Sequence, residues 1–152
     1  MSYNIEGLII LSHTLPSSDL AALGVPVVTI EREDRFISSV NTDNLMGGIQ
    51  AASLLYKNQF AVLVEKYYFQ RYRIIGRHYC LVGYDNSSIA TEAIVPFSSV
   101  GQQTDVIARE TMEILIGQIK KRRKDPECRL PVEHKVVTPI LKRRDTSLPE
   151  LY

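Results

Sequence analysis

The sequence has 152 residues, of which 45% are hydrophobic and 23% charged, with a formal net charge of +1. Those values suit one soluble globular domain able to bury a core without staples. The whole molecule has no strong electrostatic bias toward nucleic acid or membrane, and no apolar run approaches the roughly 20 residues that span a bilayer.

Ile5 to Leu11 (IEGLIIL) is a short apolar run bounded by Ser12, His13 and Pro16, and it reads as a buried strand. Ser17, Ser18 and Asp19 can cap a short helix through Leu23, stopped by Gly24. Pro26 to Ile30 is a second buried strand. Strand, helix, strand with short loops predicts a parallel sheet. After the charged stretch Glu31 to Arg35, Phe36 to Val40 reads as a third extended piece. Asp43 can cap the next helix, on which Leu45, Ile49, Ala52 and Tyr56 fall at helical spacing. Gly47 and Gly48 weaken its first turns by about 1 kcal/mol each, so a packing or ligand-approach reason is expected there.

Asn58 can cap a further helix to about Gln70, followed by a basic and aromatic stretch from Arg71 to Tyr79. Cys80 to Tyr84 (CLVGY) reads as a buried strand ending at Asp85. An amphipathic helix is predicted from Gln103 to Lys121, with Ala108, Met112, Leu115 and Ile119 as its stripe. The run Lys120 to Lys124 ends it, where cations favour the negative end of the helix dipole. Val132 to Leu141 reads as a last strand bent at Pro139.

Cys80 and Cys128 are far apart and lack metal-type spacing, as do His13, His78 and His134. No nucleophile elbow, phosphate loop or dinucleotide-binding glycine pattern occurs, so neither an enzyme nor a cofactor is expected. Met1 to Gly7 lacks the basic flank and apolar core of a signal peptide. With two unpaired cysteines, the expected location is the cytoplasm.

Several pieces, in order, resemble the effector domain of lactose-repressor-type (LacI/GalR) transcription regulators. They are EGLIIL with LGVPVVTIER, VNTDNLMGGIQAASLL, FAVLVEKYYF with LVGYDNSSIA, VPFSSVGQQTDVIARETMEILIGQI, and LPVEHKVVTPILKRRDTS. The resemblance covers nearly the whole chain. It implies an α/β fold: a mainly parallel open sheet with helices on both faces, part of a periplasmic-binding-protein-like (type I) domain. The family's helix-turn-helix, hinge helix and first strand and helix units have no counterpart in this sequence. A long segment is also missing between Leu55 and Phe60. Residues 1–152 are therefore expected to form a partial effector-binding and dimerisation domain.

The resemblance also implies a site. Asp85 follows a buried strand, where open α/β sheets gather ligands, and its carboxylate suits the vicinal hydroxyls of a sugar. Asp-Asn-Ser-Ser is equally good turn chemistry. Asp43 is both a helix cap and a candidate contact. Ser12 and His13 follow the first strand, Asn58 precedes the helix that resembles the family's, and Gln102 matches a glutamine between lobes. The basic run Lys120 to Lys124 reads as a solvated helix end. Arg71, Tyr72, Arg73, Arg77 and His78 with nearby tyrosines fit a nucleic-acid stacking surface better, but match a helix and loop of the family.

The expected function is effector sensing for a DNA-binding repressor, with a sugar-like small molecule binding between lobes and shifting the population of DNA-binding homodimers. DNA would be reached only through the absent N-terminal domain. No membrane partner is expected. The alternatives are a stand-alone sugar-binding protein of the same fold, or a folded, dimerising fragment that binds nothing.

Overall fold

Runs of valine and isoleucine favour extended backbone, because branching at Cβ restricts χ1 and packs well on a pleated surface. In a computed structural model, which describes residues 5–11, 15–57, 81–144 and 146, those runs become strands of two sheets. The chain divides into two compact units, Met1–Thr42 with Gln103–Val137, and Asp43–Gln102 with Thr138–Tyr152. It passes between them after Thr42, after Gln102 and after Val137.

The first unit holds a four-stranded sheet in the order β1 (Leu8–Ile10), β2 (Val27–Ile30), β3 (Ser38–Thr42), β6 (His134–Val137). Every pairing in it is parallel, with Leu8 opposite Val27, Val28 opposite Ser38 and Val40 opposite Lys135. Alternation along the strands sends residues to two faces. Val28, Val40 and Val137 pack on Ile107, Ile114 and Leu115 of α4 (Thr104–Lys124). Val27 and Ile37 pack with Leu20 of α1 (Ser17–Ala21) into a second cluster. The expected parallel sheet with helices on both faces is thus present. β1 is an edge strand and only partly buried, and it is shorter than the run Ile5 to Leu11.

α1 begins after Pro16, and no side chain caps it; Gly24, at φ +74°, closes the turn beyond its end. The stripe expected on α4 is turned by about one residue. Ile107, Thr111, Ile114, Leu115 and Gln118 are the buried positions, while Met112 is 43% exposed. Two of those positions are polar, which hides the face from a hydrophobicity pattern. Thr111 returns its hydroxyl to the Ile107 carbonyl (2.7 Å), and Gln118 donates to Ser38 Oγ and the Pro131 carbonyl at 2.9 and 3.0 Å. Buried polar groups survive when hydrogen-bonded in this way.

α4 runs past the expected Lys121 and ends, as expected, with the basic run, at Lys124. Arg123 forks onto the two carboxylate oxygens of Glu6, which holds that carboxyl below its usual range and raises the guanidinium. Lys135 does the same for Glu110: the hydrogen bond lowers the carboxyl and raises the ammonium.

The second unit holds a three-stranded sheet, β4 (Val82–Tyr84), β5 (Ser98–Gly101), β7 (Ile140–Lys142). β4 and β5 are parallel; β5 and β7 are antiparallel. α2 (Asn44–Lys57) packs on β5 and β7, and α3 (Ile89–Glu92) is a single turn. The expected α2 stripe is not the packed face: Leu45 is 77% and Tyr56 86% exposed, whereas Gly47, Leu54 and Leu55 are buried. Thr146 ties the sheet together, donating to the Leu81 carbonyl (2.7 Å) and accepting from the Ser98 amide (3.0 Å).

The single strand expected from Val132 to Leu141 is two strands, one in each unit. They are split at Thr138 and Pro139, where the proline offers no N–H to a ladder. The helix expected from Asn58 to Gln70 and the basic-aromatic stretch beyond it lie outside the described residues.

Candidate functional site

At the carboxyl end of β4 the backbone turns left-handed twice in succession, at Asp85 (φ +74°) and Asn86 (φ +47°). Most non-glycine residues avoid that region, at a cost of up to about 1–2 kcal/mol; aspartate and asparagine tolerate it best, and here the surroundings also hold it. They do so through Asn86. Its amide donates to Ser99 Oγ (3.0 Å) on β5, and its Oδ1 accepts from Arg144 Nη2 (2.7 Å). Arg144 Nη1 also donates to the Phe97 carbonyl at 2.9 Å. Asp85 itself is exposed and makes no hydrogen bond among the described residues. The result is a free carboxylate on a fastened turn.

The start of α2 is tied to the same end of the unit. Asp43 Oδ1 accepts the Met46 amide at 2.9 Å, and its carbonyl accepts the Gly47 amide at 3.0 Å, so the helix-capping role is built. The next residue, Asn44, accepts a hydrogen bond from the Tyr84 hydroxyl (2.7 Å), and Tyr84 is the last residue of β4. Gly47 makes this contact possible, since a Cβ there would lie 2.7 Å from the Tyr84 oxygen. Gln102 follows β5 directly. Because β4 and β5 are parallel, with Tyr84 opposite Val100, Gln102 leaves the sheet at the same end as Asp85.

Asp43, Asp85 and Gln102 therefore share one end of the second unit. Ser12, His13 and Asn58 lie outside the described residues. Sequence reasoning passed over the supports: Tyr84, Asn44, Asn86, Ser99 and Arg144. Arg144 is 58 positions from Asn86 in the chain, and no local pattern marks the pair. It also passed over Glu31 in the first unit. This residue is left-handed (φ +57°), and its Oε1 accepts both the amide (2.8 Å) and the hydroxyl of Thr42. That contact fixes the last residue before the chain leaves the unit.

Among the described residues no helix is long and apolar enough to cross a membrane. Two α/β units, one with a parallel sheet and one with a mixed sheet, joined by three chain passages, place the protein in the periplasmic-binding-protein-like (type I) fold class. Residues 21–138 match the family model described as "Periplasmic binding protein-like domain", and the chain belongs to that family.

Solved structures give the same fold. A LacI transcriptional regulator from a Rhodococcus species superposes with a TM-score of 0.75 at 15% identity, covering 97% of this chain and 80% of the other. A LacI family regulator from Enterococcus faecalis V583 with bound ribose gives 0.73 at 16% identity, covering 99% and 80%. The transcriptional regulator CelR in complex with cellobiose gives 0.69 at 19% identity, covering 93% of this chain and 66% of CelR, just under two thirds of its length. At these identities the likeness is one of fold. No curated protein matches the sequence.

Proposed function

We propose that the chain is the effector-sensing part of a DNA-binding transcriptional repressor, and that its effector is a sugar-like small molecule. The observation that carries this reading is the Asp85 turn: an unpaired carboxylate past a parallel strand, held in a strained conformation by Ser99 and Arg144. Strain of this kind gathers at ligand sites, and the similar solved regulators hold ribose and cellobiose. Asp43 and Gln102 complete the contacts offered by the second unit, with Ser12, His13 and Asn58 as further contacts. In this reading the chain works without catalysis, in the cytoplasm and as a homodimer. DNA is read by an element other than these residues, whose net charge is only +1.

The test is calorimetric titration of a panel of pentoses, hexoses and disaccharides into the parent chain, Asp85→Asn and Asp43→Asn. Asparagine keeps the capping function at position 43 while removing the charge. A hydrogen bond to a charged group contributes about 1.5–3 kcal/mol, so each substitution should weaken a bound sugar by about tenfold to a hundredfold. A sugar that binds all three proteins equally would place the site elsewhere.

A further inference from the structure

Three arginines that the effector reading does not use converge on one pocket of the first unit. Its volume is about 330 Å³. Arg122 comes from α4, Arg35 from the loop ahead of β3, and Arg129 from the loop ahead of β6. These loops precede their strands, so the pocket opens at the amino ends of the parallel sheet. Glu31 and Thr42 stand at the opposite, carboxyl end. The pocket is therefore at the other end of the first unit's sheet from the residues at which the chain leaves that unit.

The polar groups of the pocket point to one kind of ligand. Gln118 also lines it, but both its amide hydrogens are already used, by Ser38 and Pro131. What remains is guanidinium. Arg122 spends Nη1 on the Pro126 carbonyl (2.7 Å), while its Nε is buried without a hydrogen-bond partner among the described residues. Arg35 lies over the Phe36 ring, 4.6 Å from the centroid, which leaves its edge hydrogens available. Among the described residues none of the three forms an ion pair with a carboxylate. Two acidic residues next to these loops are turned to backbone: Asp34 Oδ1 accepts the Phe36 amide, and Asp125 Oδ1 accepts the Glu127 amide.

Three unneutralised guanidiniums around one cavity attract an oxyanion, whose paired oxygens match their forked donors. The rest of the lining mixes apolar side chains, among them Val25, Val27 and Leu130, with Ser38 and Gln118. The volume sits at the low end of the roughly 300–1,000 Å³ of ordinary ligand pockets, room for a head group and a small ring. We propose that this pocket is a second ligand site, for a small molecule carrying a phosphate or carboxylate group on a compact body.

The experiment titrates the full chain with phenyl phosphate, benzoate and the neutral control benzyl alcohol, by calorimetry and by amide chemical shifts. At least one of the two anions should bind saturably with one site per chain, and the tighter of them identifies the head group. Benzyl alcohol should not saturate. Arg35→Gln and Arg129→Gln lie on exposed loops and preserve the fold; each should weaken the anion by about tenfold, the loss of one charge-assisted contact. Arg122→Gln should weaken it further, and if that variant fails to fold the two loop variants decide the matter. Asp85→Asn should leave anion binding unchanged, which separates this site from the proposed sugar site. The proposal is overturned if neither anion saturates by about 10 mM, beyond the weakest specific affinities, if the arginine variants bind as well as the parent, or if Asp85→Asn abolishes binding.

Discussion

Arg144 does at the scale of one residue what a glycine does in many turns: it makes a left-handed backbone tolerable, here by holding the neighbouring asparagine. Its guanidinium serves Asn86 Oδ1 and the Phe97 carbonyl together, a geometry that a lysine ammonium cannot reproduce from one point. Arg144→Met should therefore cost about 1.5–3 kcal/mol in urea unfolding, the range for charge-assisted hydrogen bonds. Asn86→Gly removes the same acceptor but relieves a left-handed non-glycine residue, worth about 1–2 kcal/mol, so it should cost clearly less. Equal stability for Arg144→Met and the parent would mean that the clamp holds nothing. The places of Asp85 and Asp43 at element ends were legible in the sequence, Asp85 as a polar residue past an apolar run and Asp43 as a helix cap, while Gln102 was marked only by the family resemblance. Arg144 and Ser99 were not, since their meaning depends on strands far apart in the chain meeting at one turn.

Secondary-structure elements were legible wherever a face is uniformly apolar, and misread where it is not. The strands at Val27 and Val82 stand close to the runs that announced them. The buried face of α4 was misplaced because Thr111 and Gln118 belong to it, and each is buried with its own hydrogen-bond partner. The strand after Val132 was read as one because a proline bend and a proline break look alike in sequence; only the pairing of β6 with β3 and β7 with β5 separates them. On α2 the two glycines differ in kind. At Gly47 a Cβ would meet the Tyr84 hydroxyl at 2.7 Å and Pro139 Cγ at 3.2 Å; at Gly48 it would meet nothing within 4 Å. Replacing glycine by alanine inside a helix gains about 0.8–1 kcal/mol. Gly48→Ala should show that gain as a raised unfolding midpoint. At Gly47 the gain is opposed by overpacking, typically about 1–3 kcal/mol, and by loss of the Tyr84–Asn44 hydrogen bond, so Gly47→Ala should lower stability. The opposite signs at adjacent positions, read by thermal unfolding of the two variants, are the check; a stabilising Gly47→Ala would mean that Tyr84 moves aside without cost.

For the molecule as a whole, the balance of 18 basic against 17 acidic residues leaves little long-range repulsion to keep copies apart. Its surface also carries apolar residues in rows rather than singly. Met112 and Ile116 stand one turn apart on the outer side of α4, and Leu45, Ile49 and Tyr56 follow one line of α2. Scattered apolar residues are ordinary on a protein surface, but rows one helical turn apart form a continuous strip of the kind that pairs with another. The chain should therefore self-associate, with a twofold pair as the simplest closed arrangement. Sedimentation velocity across a concentration series should show a mass rising toward twice that of the chain by tens of micromolar, roughly the strength of a modest interface. Two double variants locate the surface: Met112→Glu with Ile116→Glu, and Leu45→Glu with Ile49→Glu. All four positions are exposed, so the fold should survive in both. A charge pair buried without partners is costly, so the variant that lies in the contact should sediment as a monomer where the other still associates. A parent chain that remains monomeric throughout the series would remove the homodimer from the proposed function and leave these rows as bare surface.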